Sequence, residues 1–290
     1  MRVVFFSHSA GLYGAERSLL DIILELRFLG VKPLVILPKN GLLTEELEEN
    51  NIEYMVIRYD GWIGGKHKEI KGFYRYLVDN VSARRLAKIL RNEKVDLVYT
   101  NTLTISIGAM VAKKLGVKHV WHIREFIHED MGAKFDFGTR WASSFVIKNS
   151  SYIIYNSLAV KKKFSSLFEG VPNEVVYNGW LPEGFNNCLE RRHLSPGMPI
   201  KLCVVGSLHH GKGQHEAISA LYALVAKFPH MTLNIVGSGD EAYINKLREL
   251  CSKYKLSKNI FFSGFLNGTS DIFKQSDISI VCSRNEAFGD

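Results

Sequence analysis

The chain has 290 residues, of which 46% are hydrophobic and 23% are charged, a composition typical of a globular protein of about two domains. Its 37 basic and 29 acidic residues give a net charge of +8, which suits an anionic partner without choosing among nucleic acid, nucleotide and lipid. The four cysteines lie far apart without a CxxC pair, so composition predicts neither a zinc knuckle nor a disulfide framework.

From the first residues onward, short β-branched or aromatic runs alternate with longer amphipathic stretches, which predicts an α/β fold with a parallel sheet covered on both faces. Strands are predicted at residues 2–6, 33–37, 53–57, 96–100, 119–122, 152–155 and 174–177. Helices are predicted at residues 14–29, 42–49, 78–92, 106–115, 139–148 and 158–168. The glycine-rich stretch 60–72 is predicted to be a mobile loop.

Between residues 179 and 199, glycine, proline and asparagine interrupt the apolar periodicity of helices and strands. This predicts a linker between a first domain at 1–178 and a second at 200–290. A second alternation predicts strands at 201–205, 232–236, 259–263 and 278–282, and helices at 213–228, 241–255 and 270–275. The last strand is apolar enough to be buried on both faces, yet no helix follows it. We therefore expect the second domain to be incomplete and the chain to be truncated within it.

Two loops lie between a strand and a helix N-terminus, where backbone N–H groups and the helix dipole can hold a phosphate. The first, residues 9–16, contains Gly11 and Gly14 but lacks the GxGxxG fingerprint, which disfavours an NAD-dependent oxidoreductase. A tight turn is the alternative explanation of its glycines.

The second loop, residues 206–213, fits the GxxxxGK pattern of P-loop NTPases. Those enzymes need a Ser or Thr after the lysine and a Walker B aspartate for magnesium, whereas this chain has Gly213 there and no aspartate at its later strand ends. What remains is Lys212 beside a backbone nest, suited to neutralise a diphosphate that leaves without a metal. A solvated surface lysine is the alternative.

Three histidines lie in or beside this second loop, His209, His210 and His215. They lack acidic or cysteine residues nearby, and His215 should lie on the following helix, away from the other two. We therefore interpret them as polar loop residues and not as zinc ligands.

Near the end of the chain, Glu286 follows the last apolar strand, and Gly289 comes three residues later. A carboxylate at the carboxyl end of a strand in an open α/β sheet can accept hydrogen bonds from ligand hydroxyls, and a glycine lets the backbone approach a ligand. On its own, Glu286 is equally explained as a solvated residue or a cap.

Taken in order, these segments resemble the retaining glycosyltransferases of family 4, whose GT-B fold has two Rossmann-like domains with parallel sheets facing across a cleft. The resemblance covers nearly the whole chain. It rests on short motifs at residues 14–17, 176–179, 204–213, 235–239, 262–264 and 283–289.

The resemblance implies catalytic roles for three side chains. His122 would lie near the transferred sugar at the end of a first-domain strand, although a core-facing histidine is the alternative. Lys212 would stabilise the leaving nucleoside diphosphate, and Glu286 would hold the donor sugar. The implied donor-binding residues are Gly14, Ser207, Lys212, Gly237, Gly264, Phe265, Leu266, Glu286, Ala287, Phe288 and Gly289.

The chemistry implied by the resemblance needs neither a metal nor a cofactor, and the acceptor attacks on the face from which the diphosphate leaves, with retention of configuration. Two residues depart from the family pattern, because Tyr13 replaces a frequent glycine and Ser207 replaces an arginine. The family's second motif glutamate would fall beyond Asp290. This chain is therefore expected to bind donor weakly or not at all, and to be inactive.

The function implied is that of a hexosyltransferase of cell-envelope polysaccharide biosynthesis, which moves a sugar from a nucleotide-sugar to a polysaccharide or lipid-linked saccharide. Two alternatives stay open: a nucleotide-sugar 2-epimerase of the same architecture, and a non-catalytic fragment or pseudoenzyme.

The location expected from the sequence is cytoplasmic, because the longest uncharged stretch, residues 97–112, is too short for a membrane span and residues 3–6 are too short for a signal peptide. Basic clusters occur at residues 84–91, 113–114 and 161–163 without the interleaved aromatics of single-strand binders, so no nucleic-acid partner is predicted. They are interpreted as solvated helix faces or as a patch on anionic phospholipid, which would place the protein on the inner face of the plasma membrane.

Overall fold

The computed structural model describes residues 1–64, 69–179, 197–266 and 268–287. The chain divides into two compact units, one formed by Met1–Gly179 with Ala287–Asp290 and the other by Trp180–Glu286. Each unit contains a parallel sheet with helices between its strands, which confirms the α/β prediction. Of the residues predicted to form the linker, 180–196 lie outside the described part of the chain.

The first unit is built on a seven-stranded parallel sheet. The strands of the whole unit are β1 (Arg2–Phe6), β2 (Lys32–Leu37), β3 (Glu53–Val56), β4 (Ile63–Gly64), β5 (Leu97–Asn101), β6 (Lys118–Ile123), β7 (Lys134–Phe135), β8 (Tyr152–Tyr155) and β9 (Asn173–Val175). Seven of them pair in the order β3-β2-β1-β5-β6-β8-β9, and β4 and β7 form a separate antiparallel pair. The carboxyl ends of the seven strands therefore share one edge of the sheet.

Helices cover both faces of this sheet. They are α1 (Gly14–Phe28), α2 (Leu42–Glu49), α3 (Glu69–Leu90), α4 (Ile107–Leu115), α5 (His128–Met131), α6 (Gly138–Asn149) and α7 (Leu158–Phe164). Because strand side chains alternate between faces, Phe5 packs in one core with Leu19 of α1, and Phe6 packs in another with Leu86 of α3. Burial on both faces explains why β1 is apolar along its whole length.

The loop predicted for residues 60–72 is partly wrong. Ile63–Gly64 forms β4, and α3 begins at Glu69, well before the predicted start at residue 78. Gly72 lies inside this helix, where the backbone packs closely against Asp136. A Cβ at this position would stand 2.7 Å from the Cβ of Asp136, so a larger residue would not fit without a shift. Gly72 therefore marks a close approach and not a turn.

The second unit is built on four parallel strands in the order β12-β11-β10-β13. The strands are β10 (Lys201–Val205), β11 (Thr232–Val236), β12 (Ile260–Gly264) and β13 (Ile278–Ser279). The helices are α8 (Gln214–Val225), α9 (Glu241–Lys253) and α10 (Ser270–Gln275), and a 3₁₀ turn spans His210–Lys212. Among the described residues β13 pairs with β10, and Val281 just after it is 77% exposed.

His119 is a histidine of β6 that folds in its neutral form. Its Nε2 lies 2.7 Å from Thr100 Oγ1 and its Nδ1 3.1 Å from Asn149 O, and burial lowers its pKa to about 3. The unfolded chain, with an ordinary histidine pKa of about 6.5, therefore binds more protons than the native state below that pH. This contribution to stability is complete above about pH 6.5 and falls as the pH drops toward 3.

We expect the His119→Gln variant to lose stability less steeply with falling pH than the parent chain. Between about pH 6.5 and 4, the difference in slope should approach 1.4 kcal/mol per pH unit, because the glutamine cannot take up a proton. Urea unfolding at a series of pH values measures both slopes. Parallel curves for the two proteins would contradict the assignment of a neutral His119.

Candidate functional site

Buried polar side chains collect at the carboxyl edge of the first unit's sheet. They follow or end the strands β1, β5, β6 and β8, and they are Ser7, Asn101, Thr102, Thr104, His122, Arg124, Glu125, Asn156 and Ser157. In open α/β sheets this edge is where ligands bind. Because buried polar groups cost free energy unless they are paired, their hydrogen bonds define how the edge is organised.

Arg124 is the centre of this network. Its Nε donates to Asn101 Oδ1 at 2.7 Å, and its Nη1 donates to Ser18 Oγ at 2.8 Å and to Asn178 Oδ1 at 2.7 Å. Its Nη2 lies 3.1 Å from His122 Nδ1. A single buried guanidinium thus joins β5, α1, β6 and the segment after β9.

The side chain of His122 belongs to the same network, and the residue is 2% exposed. Its Nδ1 is contacted by Arg124 and by the hydroxyl of Tyr99, while its Nε2 makes no hydrogen bond to the described residues. Burial, followed by the positive charge of Arg124, holds the pKa of His122 well below its usual range. Since Arg124 can only donate, Nδ1 is the acceptor and the proton of the neutral ring lies on Nε2. His122 is therefore a hydrogen-bond donor and not a proton source near neutral pH.

The first glycine loop encloses a buried carboxylate. Glu16 accepts hydrogen bonds from Ser9 Oγ at 2.7 Å and from the Tyr13 backbone N–H at 3.2 Å, and it lies 3.2 Å from His8 Nε2. Burial lowers the pKa of His8 despite this carboxylate. Gly14, which was predicted to approach the donor phosphates, is exposed as the first residue of α1.

In the second unit, the predicted phosphate loop runs against the backbone that follows β11. Leu208 N–H donates to Ser238 O at 2.9 Å. A Cβ on Gly237 would stand 1.9 Å from Gly206 O, and a Cβ on Gly239 would stand 2.2 Å from Leu208 O. The glycine at 237 is thus required by backbone packing, which shapes the loop and leaves the Ser207 side chain exposed.

Lys212 of this loop forms an ion pair with Glu286, which lies in the segment after β13. Lys212 Nζ donates to Glu286 Oε1 at 2.6 Å, and the two side chains are 31% and 27% exposed. The Arg284 backbone N–H donates to Gly211 O at 3.1 Å, which fastens the segment after β13 to the 3₁₀ turn. Two residues predicted separately, for the diphosphate and for the sugar, therefore lie in direct contact and remain open to a ligand.

The remaining predicted residues are distributed as follows. Gly264 ends β12 and accepts a hydrogen bond from the Gly237 N–H, and Phe265 and Leu266 follow it as exposed and half-buried side chains. Ala287 belongs to the first unit, where its carbonyl accepts from Ser157 Oγ at 2.5 Å. Phe288 and Gly289 lie outside the described residues.

His215 lies on α8 as predicted, but the prediction that it lies away from the other two histidines is wrong for His210. His209 Nδ1 accepts from the Gly211 N–H at 3.2 Å, and His215 Nδ1 lies 2.8 Å from the Tyr243 hydroxyl. The rings of His210 and His215 are 4.6 Å apart, and burial lowers the pKa of His215. Within the described ranges, no group of three or more His, Cys, Asp or Glu side chains is placed to hold a metal ion.

Four residues of this network were not predicted as site residues from the sequence: Tyr99, Asn101, Arg124 and Asn178. A signal for Asn101 and Arg124 exists, because each is polar and ends or follows a run that forms a buried strand. Polar residues at the carboxyl ends of adjacent parallel strands are expected to meet at one edge. Asn178 belongs to a motif that was interpreted only as the entry to the linker.

Two family models match the chain. Residues 13–180 match the model described as Glycosyltransferase Family 4, and residues 188–289 match the one described as Glycosyl transferases group 1. None of the helices in the described ranges combines the length and apolar character needed to cross a membrane.

Curated relatives align with parts of the chain. Glycogen synthase of Mycobacterium tuberculosis (strain ATCC 25618 / H37Rv) is 27% identical over 149 residues, which is 50% of this chain and 35% of that protein. Poly(glycerol-phosphate) alpha-glucosyltransferase of Bacillus subtilis (strain 168) is 27% identical over 94 residues, which is 32% of this chain and 14% of that protein. The chain thus spans about a third or less of these two relatives.

Solved structures align over nearly the whole chain. HepE of Anabaena, in complex with UDP and glucose, matches with a TM-score of 0.77 and 22% identity over 100% of this chain and 76% of that one. A glycosyltransferase of Rickettsia africae matches with a TM-score of 0.70 and 19% identity over 99% and 74%. At these identities the likeness shows the fold alone, which is of the GT-B type with two Rossmann-like domains.

Proposed function

Because the chain belongs to Glycosyltransferase Family 4, we propose that it transfers a sugar from a nucleotide-sugar donor to a saccharide acceptor. The observation that carries the proposal is the ion pair at 2.6 Å between Lys212, on the glycine loop between β10 and α8, and Glu286, in the segment after β13. A cation and a carboxylate side by side match the two ends of such a donor, an anionic diphosphate and a sugar rich in hydroxyl groups.

In the proposed reaction, Lys212 neutralises the charge that develops on the leaving diphosphate, and Glu286 accepts hydrogen bonds from hydroxyl groups of the donor sugar. Stabilising charge where it develops is commonly the largest single contribution to catalysis. Without a donor the two side chains satisfy each other, so binding exchanges their ion pair for contacts to the ligand.

The same proposal includes retention of configuration and independence from metals. The acceptor hydroxyl attacks the anomeric carbon on the face from which the diphosphate departs. The bond from the anomeric carbon to the phosphate oxygen breaks, and the hydroxyl proton passes to that oxygen. Lys212 supplies positive charge that a divalent cation would otherwise provide.

Similar proteins suggest which donor and which acceptor to propose. HepE was crystallised with UDP and with UDP-glucose, and the Bacillus relative glucosylates poly(glycerol-phosphate). We propose a uridine diphosphate sugar as donor and a polysaccharide or lipid-linked saccharide of the cell envelope as acceptor. The enzyme would then work at the inner face of the plasma membrane.

The test is calorimetric titration of the chain with the sugar conjugates of UDP, GDP, ADP and dTDP, first with EDTA and then with Mg²⁺. We expect one nucleotide to bind, with the same Kd under both conditions. Binding that requires Mg²⁺ would overturn metal independence. Failure of every donor to bind would favour a non-catalytic role. Where turnover is detected, the anomeric proton coupling of the product in an NMR spectrum tests retention.

A further inference from the structure

One helix of the first unit, α3, presents a row of large apolar side chains to solvent. Phe73, Leu77 and Val81 are 58%, 47% and 64% exposed, and their spacing of four residues places them along one side of the helix. Tyr74 is exposed beside them, while the opposite side buries residues such as Leu86 in the core. A row of this kind on a helix that already has a buried face requires an explanation.

The same side of α3 becomes cationic toward its end. Arg84, Arg85 and Lys88 are exposed and continue the row from Val81 at helical spacing. Among the residues of α3 whose side chains the structure describes, the one carboxylate is Asp79, which is buried. No exposed acidic group on the described part of the helix therefore neutralises these cations.

Beyond the end of α3 lies an open depression lined by more cations. Arg91, Lys94 and Lys114 border it together with the apolar side chains of Leu90 and Leu115. Positive charge around a shallow, partly apolar depression suits a phosphate group that is attached to a hydrocarbon chain. The depression lies next to the cationic end of the helix, so the two features form one positively charged region.

We propose that α3 docks the protein onto a bilayer that contains anionic phospholipid. The contact is the α3 surface, which comprises Phe73, Tyr74, Leu77, Val81, Arg84, Arg85 and Lys88. Apolar side chains of an interfacial helix enter the boundary between headgroups and acyl chains, and cations on the same helix attract anionic headgroups. The choice of a bilayer as the partner rests on the proposed function, because an acceptor that is linked to lipid or to the cell envelope lies at the membrane.

The shape and charge of the α3 surface favour a bilayer over a protein partner. From Phe73 to Lys88 the row covers 15 residue steps, or roughly 22 Å of helix. A protein would need a groove of that length that is apolar at one end and acidic at the other. A bilayer offers a fluid apolar layer beneath a plane of negative charge, and it adapts to a convex helix.

The test is cosedimentation of the 290-residue chain with vesicles, without donor or acceptor. Vesicles of pure phosphatidylcholine are compared with vesicles that contain about one third phosphatidylglycerol. We expect binding to the anionic vesicles alone, and weaker binding as salt is raised. Replacing Arg84, Arg85 and Lys88 by glutamate should lower the partition coefficient at least about 100-fold, since each lost cation weakens binding about fivefold.

Two further variants separate the causes. The charge-matched control replaces Lys246, Lys253 and Lys258, which are exposed residues of the second unit, by glutamate, and it should bind vesicles like the parent chain. The Phe73→Ser, Leu77→Ser double variant keeps every charge, changes exposed side chains only and should bind about tenfold more weakly. Circular dichroism confirms that each variant is folded.

Equal binding to both vesicle types, no binding to either, or equal losses in the α3 and control variants would overturn the proposal. Nucleotide binding, measured by calorimetry on the same samples, reports on the proposed function independently. An α3 variant that no longer binds vesicles but still binds nucleotide supports the proposal that the α3 surface contacts the membrane. A parent chain that binds vesicles but no nucleotide challenges the transferase proposal alone.

Discussion

Replacing Arg124 with methionine should lower the free energy of unfolding of the first unit by about 3–4 kcal/mol. Methionine fills much of the same volume but donates no hydrogen bond, so Asn101 Oδ1, Ser18 Oγ and Asn178 Oδ1 each lose a donor at 2.7–2.8 Å. Each hydrogen bond to a charged group contributes about 1.5–3 kcal/mol. Relief of the buried charge offsets part of the loss, which keeps the expected total below their sum.

Intrinsic fluorescence can follow this unfolding, because three of the four tryptophans, Trp62, Trp121 and Trp141, lie in the first unit. Urea titration of the variant then gives the change in the free energy of unfolding of that unit rather than of the whole chain. Arg140→Met is the matched control, since Arg140 is exposed on α6, and it should change stability by less than about 0.5 kcal/mol. Equal effects of the two substitutions would refute a structural role for the Arg124 network.

The fold was largely predictable because its signals are local. Strands β1, β8, β10 and β11 have the predicted bounds, since each is an apolar run flanked by polar or turn-forming residues. The pair β4 and β7 was missed because each strand has two residues and exists only through its partner, about seventy residues away. The early start of α3 was missed because Gly72 signals a turn in sequence but allows close packing against Asp136.

The positions of the candidate site residues were more predictable in the second unit than in the first. Lys212 and Glu286 follow strand ends in sequence, and strand ends of a parallel sheet meet at one edge. That the two form a pair could not be read from positions 74 residues apart. Arg124 also follows a strand end, but its burial could not be predicted, because it depends on acceptors from α1, β5 and Asn178, which only the folded chain brings together.

Replacing Lys212 with alanine should weaken binding of the free nucleotide and of its sugar conjugate by the same factor, about 10–100-fold. The proposal places Lys212 on the diphosphate, which both ligands share, so its loss cannot distinguish between them. The ion pair is partly exposed and contributes at most about 1 kcal/mol to folding, so the variant should keep nearly the same Tm. A change in Tm comparable to that of Arg124→Met would instead indicate a structural role.

Glu286→Gln, unlike Lys212→Ala, should affect the two ligands differently. Glu286 is placed on the sugar, so the variant is expected to lose about tenfold in affinity for the nucleotide-sugar. Its affinity for the free nucleotide should stay constant or rise, because Lys212 no longer has to leave the carboxylate 2.6 Å away before it can bind a phosphate. Calorimetry with both ligands and both variants gives four changes in affinity. If Glu286→Gln weakened binding of the free nucleotide as much as Lys212→Ala does, the two side chains would not have separate roles on the sugar and on the diphosphate. Their pair would then act as one phosphate-binding unit.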